Sequence, residues 1–260
     1  MREKTLLIIS LIYLSISNCE IALVKEENEK SGLIIITPTY YRILQRPILI
    51  QMCASLSNVE DVTWIIIEDS YTETELVREF VQECPVNIVH LNARFDELAL
   101  QQSKSKGVIQ RNKALYFIRE NKHLFKHMRH TVYFADDDNT YHPDLFNELK
   151  KTKSIATLPV GYSGGIPWEG CVTIAKNRTT IDKMHVYFMP SRIFPVDMAA
   201  FAINLDRILS YQAYFNVDCV TRLEPCFIRD LGYKNWKEME PLADGCQRIL
   251  VWHTKYYMDK

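Results

Sequence analysis

Three consecutive carboxylates, Asp136, Asp137 and Asp138, follow the short run Val132-Tyr133-Phe134. β-Branched and aromatic residues in a run of this length read as a buried strand. Adjacent acids repel one another, so a fold keeps three together where a cation or hydrogen-bond donors share the place. In open α/β sheets ligands bind beyond the carboxyl ends of the strands. Carboxylate oxygens are hard ligands that suit Mg2+ or Mn2+, ions that keep positions open for substrate phosphates. The competing reading is an acidic turn, with Asp138 or Asn139 capping the segment from Tyr141. A second chemical candidate is Asp197, the one charge in the apolar stretch Pro195–Asn204. A lone carboxylate in such surroundings needs partners.

The elements that must position these groups follow from hydrophobic patterning. Leu33–Ile36 and Thr63–Ile67 read as buried strands, and Val86–Leu91 as a third. Between them, Arg42–Leu56 and Glu73–Gln82 have helical spacing, and Val108–Asn121 is a third helix opened by Lys106 and Gly107. The strand before Asp136 is the fourth. Strand–helix alternation of this kind predicts a parallel sheet with helices on both faces. Tyr40, Asp69 and Asp136–Asp138 then all fall at strand carboxyl ends. Beyond residue 150 the pattern changes. Ala156–Val160 reads as a strand and Gly161–Gly165 as a turn. Cys171–Ala175 and His185–Met189 read as the strands of a hairpin. Ile208–Tyr214 and Glu224–Leu231 read as helices, and Ile249–Thr254 as a last apolar run.

The chain has 260 residues, 47% apolar and 24% charged, with a formal net charge of −1. That composition supports a packed core. It provides no global field for nucleic acid, which is not expected as a partner. Arg2 and Lys4 precede an apolar run of signal-peptide length, so residues 1–24 read as a signal peptide or short signal anchor. Membrane contact is expected only through that segment. Residues 25–32 read as a short charged linker, and residues 33–150 and 151–260 as two lobes of one domain. There are seven cysteines, with no CxxC spacing. In the secretory lumen one or two disulfides are expected, and an odd count leaves at least one cysteine over. Asn177-Arg178-Thr179 is a glycosylation sequon.

Several segments, in order, carry a family resemblance: Ile36-Thr37-Pro38-Thr39-Tyr40, Trp64 to Asp69, Gln110-Arg111-Asn112, Tyr133 to Tyr141, Leu158 to Gly161, Trp168-Glu169-Gly170, Phe194 to Ala199 and Leu250 to Thr254. Together they resemble the 3-beta-glucuronosyltransferase family, which moves glucuronic acid from UDP-glucuronate onto a terminal galactose. The resemblance implies an A-type glycosyltransferase fold, α/β, with a mostly parallel nucleotide-sugar-binding sheet and a smaller mixed acceptor-binding lobe. It also implies a Golgi-lumen type II protein, a homodimer, and Mn2+ as cofactor.

By the same resemblance Pro38, Tyr40, Asp69, Lys106, Arg111, Asp136, Asp137 and His253 form the UDP-sugar site. Tyr40 matches the aromatic that stacks on uracil, and Asp138 the direct Mn2+ ligand. Asn139, Glu169, Arg192 and Asp197 match acceptor-binding positions, with a galactose-terminated glycan as acceptor. Glu224 matches the catalytic base of an inverting transfer. Lys255 stands where a second basic residue is common. Lys106 replaces the usual Arg and loses its bidentate fork. Pro225 and Cys226 stand where small polar residues are usual, and Val220 where a basic one is. Two alternatives follow from these departures: a weak or inactive paralogue that binds UDP-sugar or glycan, and a transferase that uses another UDP-sugar.

Overall fold

The computed structural model describes residues 30–94, 106–216, 218–219 and 223–254. Ser31–Lys260 form one compact unit. Strand β1 (Ser31–Thr39) is its centre, flanked by β2 (Val62–Glu68) and β4 (Arg129–Phe134), with β3 (Asn87–Asn92) outside β2. All four run parallel. Leu33–Ile36 and Trp64–Ile67 have no exposed surface, which explains why both strands read as unbroken apolar runs. Helices α1 (Gln45–Leu56), α2 (Glu75–Glu83) and α3 (Val108–Glu120) make the crossovers. Each starts or ends within a few residues of its expected bound.

The second half extends this sheet and builds another. Among the described residues the larger sheet has seven strands in the order β11-β6-β10-β4-β1-β2-β3, where β6 is Ile155–Thr157, β10 Phe201–Asn204 and β11 Glu240–Pro241. The smaller has five in the order β5-β12-β7-β8-β9: β5 is Asn139–Tyr141, β7 Val160–Gly161, β8 Trp168–Ile174, β9 Asn177–His185 and β12 Val251–His253. A short α4 (Asp144–Leu149), α5 (Leu205–Ser210) and α6 (Leu223–Asp230) follow, with a single helical turn at Ala243–Cys246 and three short 3-10 turns.

Four expectations are corrected. Ala156–Val160 is not one strand: β6 belongs to the large sheet and β7 to the small one, with Leu158-Pro159 turning between them. The hairpin partner of β8 is β9, not His185–Met189. The helix expected over Ile208–Tyr214 is α5, which begins earlier and ends at Ser210. Three disulfides form, Cys53–Cys84, Cys171–Cys246 and Cys219–Cys226, rather than one or two. Cys19 lies outside the described residues.

One aromatic cluster ties the two halves together. Phe134, the last residue of β4, meets the Phe215 and Phe227 rings at 5.0 and 5.6 Å, nearly perpendicular. Phe215 and Phe227 stack at 4.2 Å. Phe134 is two positions before Asp136, and Phe227 three after Glu224. The same packing therefore sets the height of the acidic strand end and of the helix that carries Glu224.

Candidate active site

The three aspartates have three different environments. Asp136 receives the guanidinium of Arg111, a buried side chain on α3. Gly107 caps α3 with φ 79°, and a Cβ there would lie 2.6 Å from the Arg111 guanidinium, so that turn is shaped around the arginine. Asp137 is buried, accepts the Thr39 hydroxyl at 2.7 Å and pairs with Arg42 Nη2 at 2.7 Å. Burial raises its pKa, and Arg42 and Thr39 oppose that rise. Gln45 supports Thr39 from below, 3.2 Å from its hydroxyl. Asp138 alone has a carboxylate with neither hydrogen bond nor ion pair among the described residues. Its carbonyl accepts the Thr254 hydroxyl at 3.2 Å.

Arg42 was not singled out by sequence reasoning. The available signal was a basic residue in the loop after β1, facing the acids at the neighbouring strand end. It also lies over the Tyr40 ring, 4.4 Å from its centroid, while Lys106 Nζ is 5.7 Å from the same ring. Removing one partner of a buried ion pair leaves an uncompensated charge. Arg42→Ala is expected to lower stability by about 3 kcal/mol, read by urea unfolding. Arg42→Lys should lose less.

The remaining donor-side candidates gather at the same edge. Pro38 is near the end of β1, past the last β4 pairing at Ile36–Phe134, where its missing N–H leaves no gap in that ladder. Tyr40 is 46% exposed. Asp69 donates its backbone N–H to Thr39 at 2.8 Å, and its carboxylate is 3.8 Å from Arg94. It does not cap α2, whose N-cap is Thr74. Asn139 is buried on β5 and pairs in register with His253 on β12. Lys255 and Val220 lie outside the described residues.

His253 carries the site across to the second half. Its Nε2 is 3.0 Å from Asp197 Oδ1, which also accepts the Ala199 N–H at 2.9 Å. Burial opposes the charge on both groups, yet the pairing outweighs it: Asp197 is held below its ordinary pKa and His253 above. The lone acid of the apolar stretch therefore has the partners it needed.

Asp197 opens onto a cavity of about 300 Å3, lined also by Ser163, Glu169, Phe188, Arg192 and Glu224. Glu169 is buried and spends its oxygens on protein: the Tyr187 and Phe188 N–H groups at 2.8 and 3.2 Å, and the Ser163 hydroxyl at 3.1 Å. It shapes the loop that presents Phe188, another residue sequence reasoning missed. Gly164, at φ 61°, leaves the room Glu169 occupies, since a Cβ there would sit 2.0 Å from Oε1. Arg192 donates to the Met189 and Phe188 carbonyls at 3.3 and 3.2 Å. Glu224 lies in the first turn of α6. Burial raises its pKa to about 7, Asp197 pushes the same way, and Arg192 and Arg111 pull against it. A carboxyl held near neutrality in a cavity is a candidate for proton transfer. Pro225 is no obstacle: as the third helical residue it stands where a backbone N–H has no intrahelical partner.

The chain was compared with known proteins. Residues 52–257 match the model of glycosyltransferase family 43. Galactosylgalactosylxylosylprotein 3-beta-glucuronosyltransferase sqv-8 of Caenorhabditis elegans is 36% identical over 228 residues, covering 85% of this chain and 63% of the relative. Galactosylgalactosylxylosylprotein 3-beta-glucuronosyltransferase 1 of Homo sapiens is 34% identical over 235 residues, covering 85% and 68%. The chain thus spans about two thirds of the length of these relatives. Among solved structures, S. aureus TarS in complex with UDP-GlcNAc superposes with a TM-score of 0.55 at 14% identity, over 88% of this chain and 60% of that one. At that identity the likeness speaks for the fold alone, the A-type glycosyltransferase fold. With the family model spanning most of the sequence and relatives above one-third identity, the chain belongs to glycosyltransferase family 43.

Proposed function

We propose that the chain is an inverting transferase that moves glucuronic acid from UDP-glucuronate to a terminal galactose of a glycan, such as a proteoglycan linkage region, with Mn2+ held at Asp138. The observation that carries this reading is the unequal treatment of the aspartates beside a cavity containing a near-neutral glutamate. Arg111 and Arg42 compensate two of the acids, and among the described residues the third carboxylate has no such partner. Among the described residues no three His, Cys, Asp or Glu side chains form a cage. One free carboxylate suits an ion whose other ligands come from a diphosphate and water. When bound there, the ion supplies charge neutralisation for the departing UDP.

The rest falls to the chain. Tyr40 offers its ring to the uracil, and Asp136 and Asp137, paired with Arg111 and Arg42, face the ribose hydroxyls. His253 keeps its proton to higher pH than a free histidine and faces the diphosphate with positive charge. Asp197 and Arg192 orient the galactose, and Phe188 gives it an apolar wall. The acceptor oxygen bonds to the anomeric carbon on the face opposite UDP. The bond from that carbon to the phosphate oxygen breaks, its electron pair leaving with UDP, and the acceptor proton passes to Glu224.

Glu224 works only when deprotonated, so kcat/KM should be full above about pH 7 and fall as pH drops through it. A profile flat from about pH 6 to 8 removes Glu224 from the role. Transfer from UDP-glucuronate to a galactosyl acceptor, with and without Mn2+, tests the whole reading. UDP release only from another sugar nucleotide would reassign the donor, and tight UDP binding without transfer would make the chain a binding protein. The same reading puts the protein in the Golgi lumen, held by its N-terminal segment. Three disulfides and the exposed sequon residue Asn177 support that address. Among the described residues no helix is long and apolar enough to cross a membrane.

A further inference from the structure

Helix α6 has only eight residues, and its anchors are unevenly placed. Phe227 and Ile228, in its second half, have no exposed surface, whereas Leu223–Cys226 are only partly buried. First turns lack intrahelical partners for their N–H groups, and helix ends open at little cost. Glu224 is in that turn. Two contacts hold that turn: Leu223, packed against the core from its partly buried position, and Cys226, bonded to Cys219 with a Cα separation of 6.7 Å.

The Cys219 side of the bridge is itself tied down. Asn112 of α3 brackets Phe215, donating to its carbonyl and accepting from its N–H, each at 2.8 Å. Arg119 of the same helix donates to the carbonyls of Ile208, Tyr211 and Ala213 at 2.8 to 3.0 Å. Asn216 then accepts from the Asp218 and Cys219 N–H groups at 2.9 and 3.0 Å. A path therefore runs from α3, which also carries Arg111, through residues 213–216, the Asn216–Cys219 hydrogen bond and the disulfide to the first turn of α6. The bridge spans seven positions, against 31 and 75 for the other two. A short span constrains the unfolded chain least, so it has the smallest leverage on global stability.

We propose that Cys219 and Cys226 are positioning residues for Glu224: their disulfide fixes the first turn of α6 against the α3-anchored segment and so sets where the carboxylate stands. The inference rests on Glu224 being the base. It makes the donor-side helix the reference for the acceptor-side base, through hydrogen bonds to residues 213–216 and then one covalent bridge.

The test is the Cys219→Ser/Cys226→Ser double variant of the full chain, with the other two disulfides intact. Expected are a Kd for UDP and Mn2+ within about twofold of the parent, a kcat at least about tenfold lower, and an acid limb moved below about pH 7 as the first turn hydrates. An unchanged kcat and acid limb would reduce the bridge to a staple. A loss of UDP affinity in proportion to kcat would mean general loosening, and also overturns the proposal. Should the serine pair fail to fold, Cys219→Ala/Cys226→Val keeps the space apolar, and restored folding with kcat still low supports the proposal. If the parent transfers no sugar, the functional reading has failed separately. The bridge is then judged by 13C titration of the Glu224 carboxyl, which needs no turnover: a midpoint lowered in the double variant supports it, an unmoved one overturns it.

Discussion

Glu224→Gln is expected to bind UDP and Mn2+ as the parent does and to transfer glucuronic acid about a thousandfold more slowly. The amide fills the same volume, so the cavity and the first turn of α6 should survive. What it cannot do is accept a proton from the acceptor hydroxyl. The carboxylate is suited to that task because burial holds it near neutrality while Asp197, paired with His253, stays ionised beside it. Two neighbouring carboxyls pushed apart in acidity divide the work between hydrogen bonding and proton transfer. The loss should therefore fall on kcat. A Glu224→Gln protein turning over at the parental rate would show that the base is elsewhere.

Asp138→Ala is expected to weaken Mn2+-dependent UDP binding by about a hundredfold, roughly 2.7 kcal/mol, and to abolish detectable transfer. UDP affinity without metal should change little, since Tyr40 and the two compensated aspartates remain. The prediction is specific to this acid. Asp137→Asn would remove a charge that Arg42 already balances, so its effect should appear in folding and ribose contacts rather than in the metal dependence. Calorimetry with UDP, with and without Mn2+, separates the cases. Equal metal dependence in the parent and in Asp138→Ala would move the ion's ligand to another residue.

The donor half of the fold was legible because its strands are buried on both faces and its acids stand where strands end. Leu33–Ile36 and Trp64–Ile67 could hardly be anything else. Strand β9 was missed because it has no apolar face to read: of Asn177–His185 only Ile181 is buried. Residues 155–160 misled for a different reason, since a run of apolar residues does not reveal that Leu158-Pro159 passes from one sheet to another. The aspartates were visible as a cluster, but their separate roles depend on Arg42 and Arg111, whose reach only packing fixes. Cysteine spacing gave no pairing, because Cys171 and Cys246 meet through tertiary structure.

Strand β12 lies between β5 and β7, and both neighbours precede it by most of the second half of the sequence. A ribosome delivers the parallel strands, the aspartates and even Glu224 before it delivers His253. Until then Asp197 lacks its histidine partner, with only Arg111 bearing on it from further off, and β5 lacks its neighbour in the sheet. The acid–histidine pair and the centre of the small sheet are therefore completed among the last steps of synthesis, when most of the framework has already been made.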